Sequence, residues 1–131
     1  MKIDTALLDA LTVQAKASPR LRMNLDLRNS PQDGSQRMLN AIEPGSIIPI
    51  HRHRKSSETV VVIRGALRET FYDETGQNII EVIDVKKYGD CSAINIPIDQ
   101  WHSVESLESG TVIMETKDGP YEPAKSDEVL S

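Results

Sequence analysis

The chain has 131 residues, 38% of them apolar, and carries 20 acidic against 15 basic side chains for a net charge of −5. That length suits one domain, large enough to bury roughly two-thirds of its unfolded surface without a disulfide or metal staple. The negative balance argues against nucleic acid, which proteins hold by replacing counterions with Lys and Arg, and equally against an anionic membrane surface.

Met1-Lys2-Ile3-Asp4 is followed by no apolar signal segment, and no run approaches the ~18 apolar residues of a membrane span. The single Cys91 cannot form an internal disulfide. The expectation is a cytoplasmic protein whose partner is a small molecule, with no nucleic acid and no membrane.

In chain order, residues 4–17 come first. Leu7, Leu8, Leu11 and Ala15 make a helical stripe, opened by Asp4 or Thr5 as N-cap and stopped at Ser18-Pro19. Beyond residue 20 the period changes to two. Leu21–Leu27 alternates apolar with Arg22, Asn24 and Asp26, and Ser30–Gly34 is a turn before a strand over Arg37–Ile42. After Glu43-Pro44-Gly45, Ser46–Ile50 leads to a histidine pair. Thr59–Ile63 is β-branched and apolar on both faces, as in a strand packed on both sides. Leu67–Tyr72 and Asn78–Val85 flank Asp73-Glu74-Thr75-Gly76, a hairpin signal. Cys91–Ile96, Trp101–Leu107 and Thr111–Lys117 follow, separated by Gly, Pro and Asp turns.

Eight or nine short strands at such spacing predict an all-β, single-domain jelly-roll barrel with an N-terminal α-helix, its edges closed. The expected division is helix and linker over 1–19, barrel over 20–118, and loop or tail over 119–131.

The chain has only three histidines. Two lie in Gly45-x5-His51-x-His53-x4-Glu58-x6-Gly65 and the third in Pro97-Ile98-Asp99-Gln100-Trp101-His102. Residues i and i+2 of a strand share a face, so His51 and His53 point together. Glu58 returns across the polar turn Arg54–Ser57, and barrel closure is needed to bring in His102. Three imidazoles and a carboxylate suit a divalent transition metal (Zn, Fe, Mn or Ni, with Co and Cu also compatible) and disfavour Mg and Ca. An octahedral ion so held keeps two positions open.

The first string resembles the first cupin motif without departure. Gly89-x7-Pro97-x-Asp99-x2-His102 resembles the second, with a longer Gly-to-Pro gap, Asp99 where Gly is typical and Ser106 where Asn is typical. Arg22-Met23-Asn24-Leu25, Gln36-Arg37, Trp101-His102 and Lys117-Asp118-Gly119-Pro120-Tyr121 are similar to the small WbuC-type cupin-fold metalloproteins associated with O-antigen gene clusters. The resemblance implies a double-stranded β-helix, one bound divalent metal and a homodimer. It also implies a sugar or sugar nucleotide of surface-polysaccharide biosynthesis as substrate.

The expected function is a metal-binding cupin acting on, or holding, a small polar or anionic molecule. If it is an enzyme, it is a metal-dependent isomerase or epimerase, or an oxygenase such as a dioxygenase. The rivals are a non-catalytic binding or sensing module and a purely structural metal site.

Other residues have two readings each. The polar face of 21–27 either lines the barrel mouth, so that Arg22 with Asn24 meets an anionic group, or faces water on an edge strand. Arg37 is a second anion contact on the first reading, and Tyr121 is a phenol folded over the mouth or surface filler. Arg64 beside Gly65 is expected to be solvated, Trp101 to be packing, and Cys91 to be a small buried apolar residue.

Overall fold

The computed structural model describes residues 1–130. Helix α1 (Thr5–Ala17) begins where Asp4 accepts a hydrogen bond from the Leu7 amide at 3.1 Å. It ends at Ser18, the residue before Pro19, because proline cannot donate to the helical ladder and crowds the residue ahead of it. Leu8, Leu11, Thr12 and Ala15 are its buried stripe.

Eight strands follow: β1 (Arg22–Asp26), β2 (Ser35–Ile42), β3 (Glu58–Arg64), β4 (Ala66–Tyr72), β5 (Ile79–Lys86), β6 (Ala93–Ile96), β7 (His102–Ser106) and β8 (Val112–Asp118). They form two antiparallel sheets, ordered β1-β2-β8-β3-β6 and β5-β4-β7. This is the expected all-β jelly roll with one N-terminal helix. Residues 46–50 form no strand. Pro49 has no amide to offer a ladder, Ile47 is 85% exposed, and the Ile47 carbonyl is taken by Arg22.

The two-residue period divides each strand of the larger sheet between two environments. Val60 and Val62 of β3 and Ile113 of β8 face inward, where Ile42, Leu67, Phe71, Val85 and Ile96 complete the core between the sheets. Leu39, Ala41, Val112 and, partly buried, Ile63 and Met114 face outward, where α1 covers them with Leu8, Leu11 and Ala15. The helix is therefore a cap on the sheet's outer face. β3 is only half the doubly packed strand its composition suggested, since Val61 remains 37% exposed.

Arg64 corrects the expectation of a solvated side chain. Its guanidinium donates to Asp9 Oδ1 at 2.6 Å, Thr12 Oγ1 at 3.1 Å and the Gly110 carbonyl at 2.8 Å, tying α1 to the turn before β8. Residues 126–130, within the expected tail, run beside residues 50–52. The Arg52 amide donates to the Glu128 carbonyl and the Leu130 amide to the Ile50 carbonyl, each at 2.9 Å.

Two of the positive-φ residues bear on the site's turns. Asp99, at φ 66°, occupies the left-handed conformation for which glycine is the usual residue, and a short Asx side chain tolerates it. Gly65, at φ 88°, joins β3 to β4 against Thr111. A β-carbon there would lie 2.7 Å from Thr111 Cα and closer still to its Oγ1. Backbone cannot retreat as a side-chain tip can. Gly65→Ala is expected to lower unfolding free energy by about 1–3 kcal/mol in urea denaturation, against a near-neutral Gly34→Ala, where no heavy atom lies within 4 Å.

Candidate metal centre

The inward face of the larger sheet changes character along its length. On β8 it runs Ile113, Glu115, Lys117, and on β3 it runs Val62, Val60, Glu58, paired in register as Val62↔Ile113, Val60↔Glu115 and Glu58↔Lys117. One end of the barrel is thus apolar and the other is lined by ionisable groups.

The histidines meet at that polar end. His51 and His102 form a single antiparallel bridge, each amide donating to the other's carbonyl at 2.9 Å. Their ring centroids lie 4.2 Å apart, and that of His53 lies 5.1 Å from His51 and 5.5 Å from His102. One ligand nitrogen from each falls within 4.8 Å of the others. Glu58, the first residue of β3, brings Oε2 to 3.1 Å from His53 Nε2. The structure therefore brings together all four residues singled out by spacing.

The hydrogen bonds orient two of the rings for ligation. His51 Nδ1 donates to the Pro49 carbonyl and His102 Nδ1 to the Gln100 carbonyl, both at 2.9 Å. A carbonyl only accepts, so each proton sits on Nδ1 and each Nε2 keeps its lone pair. His53 is held differently, with Lys117 Nζ 3.5 Å from its Nδ1. Its Nε2 is buried and has no hydrogen-bond partner, since the approach to Glu58 is close but misaligned. Adjacent donors around an octahedral ion with bonds of about 2.1 Å lie about 3 Å apart, which is the His53–Glu58 spacing. The donor set fits a divalent transition ion.

Electrostatics point the same way. Burial, then the neighbouring His51, lowers His102 to about 4, and burial likewise lowers His51, so both rings are neutral at pH 7. Burial works to raise Glu58, but His53, and after it Lys117 and His102, outweigh that and hold it below the usual carboxylate range. Neutral imidazoles beside an ionised carboxylate are the protonation states a cation requires.

A cavity of about 150 Å³ opens beside the four residues. Arg22, Asn40, Glu69, Glu115 and Lys117 line it over Val60, Val104 and Ile113. A second cavity of about 540 Å³ shares His53 and Lys117 with it and is walled by Arg54–Ser56, by Asp118–Pro120 and by Glu122, Lys125, Asp127 and Glu128. Among the residues expected to meet substrate, Arg22 lines the inner cavity, held there by Nη1 hydrogen bonds to Ser46 Oγ at 3.2 Å and the Ile47 carbonyl at 2.9 Å. Asn24 is exposed across the strand pair from Asn40 and lines neither cavity. Arg37 pairs with Asp33 at 3.2 Å, on the opposite strand face from Asn40. Tyr121 is 56% exposed, with Arg28 over its ring at 5.9 Å, and lines neither cavity.

Glu69, Glu115, Lys117 and Asn40 were missed in the sequence. Glu69 is only 2% exposed, and burial, then Glu58, raises its carboxyl to about 9. The same causes in the same order raise Glu115 to about 7. A signal was present: Leu67, Glu69 and Phe71 are i, i+2, i+4 on β4, so a face that buries Leu and Phe must bury the glutamate between them.

A family model described as a domain of unknown function (DUF6016) matches residues 3–83, from α1 into β5, including His51, His53 and Glu58 but ending before His102. No curated protein sequence matches the chain. Among solved structures, the capsular polysaccharide assembling protein CapF of Staphylococcus aureus is similar at TM-score 0.62 and 23% identity, over 84% of this chain and 31% of that one. KdgF from Halomonas sp. is similar at TM-score 0.61 and 14% identity, over 80% of this chain and 84% of that one. Oxalate decarboxylase of Bacillus subtilis, in a structure concerned with its Mn(II) centres, is similar at TM-score 0.61 and 26% identity, over 83% of this chain and 28% of that one. The chain thus spans less than a third of the CapF and decarboxylase chains. These likenesses, the two-sheet jelly roll and the grouped imidazoles make the fold that of the cupin superfamily, and the chain belongs to the family of the domain of unknown function DUF6016.

Proposed function

We propose that His51, His53, Glu58 and His102 hold one divalent transition metal, and that the cavity beside it binds a small polar or anionic molecule for proton-transfer chemistry. The observation that carries this reading is the pair of Nδ1-to-carbonyl hydrogen bonds, which turn His51 Nε2 and His102 Nε2 into free donors beside the unpartnered His53 Nε2. Mn(II) in the similarly folded decarboxylase supports Mn among the Zn, Fe, Mn and Ni that the donor set admits. A bound ion would supply Lewis acidity, polarising a carbonyl or hydroxyl oxygen of the ligand.

The chain's own groups supply the rest. Arg22 and Lys117 place positive charge where an anionic ligand would lie. Glu115, near 7, is poised to take a proton from a ligand atom and return it, which favours isomerisation or epimerisation over oxygen chemistry. A cavity lined by buried polar groups also favours a ligand-binding centre over a structural one, whose shell would be closed.

The substrate reading rests on two supports. The larger outer cavity can seat a second moiety of a molecule whose reacting end lies inside, as a sugar or sugar nucleotide would need. CapF, of the same fold, is named for capsular polysaccharide assembly, in keeping with the WbuC-like strings around Arg22, Gln36 and Lys117. The expected homodimer is supported by Ile80 and Val82, 61% and 52% exposed on the outer face of edge strand β5. Apolar residues on an edge strand otherwise invite nonspecific pairing.

Three outcomes test this reading. Elemental analysis should find close to one transition-metal ion per chain in freshly purified protein, lost in His51→Ala/His53→Ala. Absence from the wild type would refute it. Sedimentation equilibrium should give a dimer that Ile80→Glu/Val82→Glu converts to monomer; an unchanged mass would remove β5 as the interface.

The third outcome concerns pH. A carboxyl raised from its ordinary value to about 9 contributes stability that is complete below about 4.5 and is lost as pH rises toward 9. Chelator-treated wild type should therefore lose up to about 1.4 kcal/mol per pH unit in that window relative to Glu69→Gln. Parallel stability curves for the two proteins would show that Glu69 is ionised as an ordinary surface acid.

A further inference from the structure

Among the described residues, three buried side-chain polar atoms lack a hydrogen-bond partner: Asn40 Oδ1, His53 Nε2 and Glu69 Oε1. All three belong to residues lining the one inner cavity. A buried polar atom left unpaired costs roughly 1–3 kcal/mol, so three in one place mark a site completed by something else. His53 Nε2 is accounted for by the proposed metal. Asn40 Oδ1 and Glu69 Oε1 are not. They come from opposite sheets, β2 and β4, and their residues are 8% and 2% exposed.

Resting on the metal-centre reading above, we infer that the inner cavity takes a small hydroxylated carboxylate, whose hydroxyl groups hydrogen-bond with Asn40 Oδ1 and Glu69 Oε1 and whose carboxylate lies toward Arg22, Lys117 and the metal. Asn40 Oδ1 can only accept, and the neutral carboxyl of Glu69 can accept or donate, so the ligand must bring a donor to one and a polar hydrogen-bonding group to the other. An ammonium group would bring donors too, but it would enter a cavity that already holds Arg22, Lys117 and a dication, against Glu58 as the one low-lying carboxylate. A hydroxyl supplies the donor without the charge. Both hydrogen bonds of the Arg22 guanidinium leave from Nη1, so Nη2 and Nε remain for a carboxylate. A volume of about 150 Å³ suits a ligand, or part of one, of a few carbons with their oxygens. A longer ligand would continue into the outer cavity past His53 and Lys117.

The test compares D-glycerate with propionate, the same three-carbon acid without hydroxyls, by titration calorimetry on the full chain, both metal-loaded and chelator-treated. A site built for hydroxyls rejects the analogue that lacks them, so glycerate should bind at least about tenfold tighter to the loaded protein. Glu69→Gln keeps an acceptor oxygen and should keep most of that preference, whereas Glu69→Leu should reduce it to less than about threefold. Asn40→Ala supplies the second arm should the leucine variant not fold. Equal binding of the two acids, binding of neither, or a preference unchanged in Glu69→Leu and Asn40→Ala would overturn the inference. A hydroxyl preference in protein that is metal-free as freshly purified, before any chelator, would instead overturn the metal-centre reading and leave this one standing. Metal-loaded protein that takes propionate as well as glycerate would do the reverse.

Discussion

The reciprocal main-chain bridge between His51 and His102 is the contact on which the polar end of this barrel depends. Fifty residues of chain lie between the two, and neither is held in place by its own neighbours alone. Exchange of both amide hydrogens across one residue pair sets their backbones at strand spacing and turns the side chains to the same side. The carbonyls two residues back, on Pro49 and Gln100, then set the ring rotation. Residues 128–130 press the same short segment from its other side, so a stretch with no strand of its own is held between two partners.

A barrel with one apolar end and one ionisable end is a compromise between stability and chemistry. Ile42, Val62, Leu67, Val85 and Ile113 supply buried apolar surface at one end, and α1 adds a second core on the outer face of the larger sheet. That packing can sustain a region where Glu58, Glu69 and Glu115 crowd together and two imidazoles are stripped of water. Three carboxyls so near one another cannot all ionise cheaply. Their ranking follows from what faces each: Glu58 has His53 and Lys117, Glu115 has the Asn40 amide and more distant cations, and Glu69 has no cation among the causes of its shift. One protein environment thereby yields a carboxylate, a group titrating near neutrality and a neutral acid.

The Gly45 and Gly65 positions mark the ends of the same histidine-bearing string, and both take positive φ. At Gly65 the close approach of Thr111 removes room for any side chain, so the β3–β4 turn and the start of β8 lock together. Asp99 performs a similar backbone role at the turn leading into β7, where its departure from glycine is absorbed by the turn without displacing His102 from the His51 bridge.

Local pattern was enough for much of this protein. The 3.6-residue stripe and the Asp4 and Pro19 boundaries specify α1, and alternation with Gly, Pro and Asp turns specifies the strands, because helix period and sheet pleat are properties of neighbouring residues. The scarcity of histidine, with its spacing to Glu58, singled out the residues that converge. What alternation could not say is which face of a strand turns inward, on which Arg37 and Gln36 differ, or how far along that face the cavity reaches, on which Arg22 and Asn24 differ. Nor could it place Glu69 and Glu115 against Glu58, the Arg64 tie to α1, or the last residues beside His51. Those relations join positions dozens of residues apart, and only the closing of two sheets onto one another, which excludes water from the space between them, decides them.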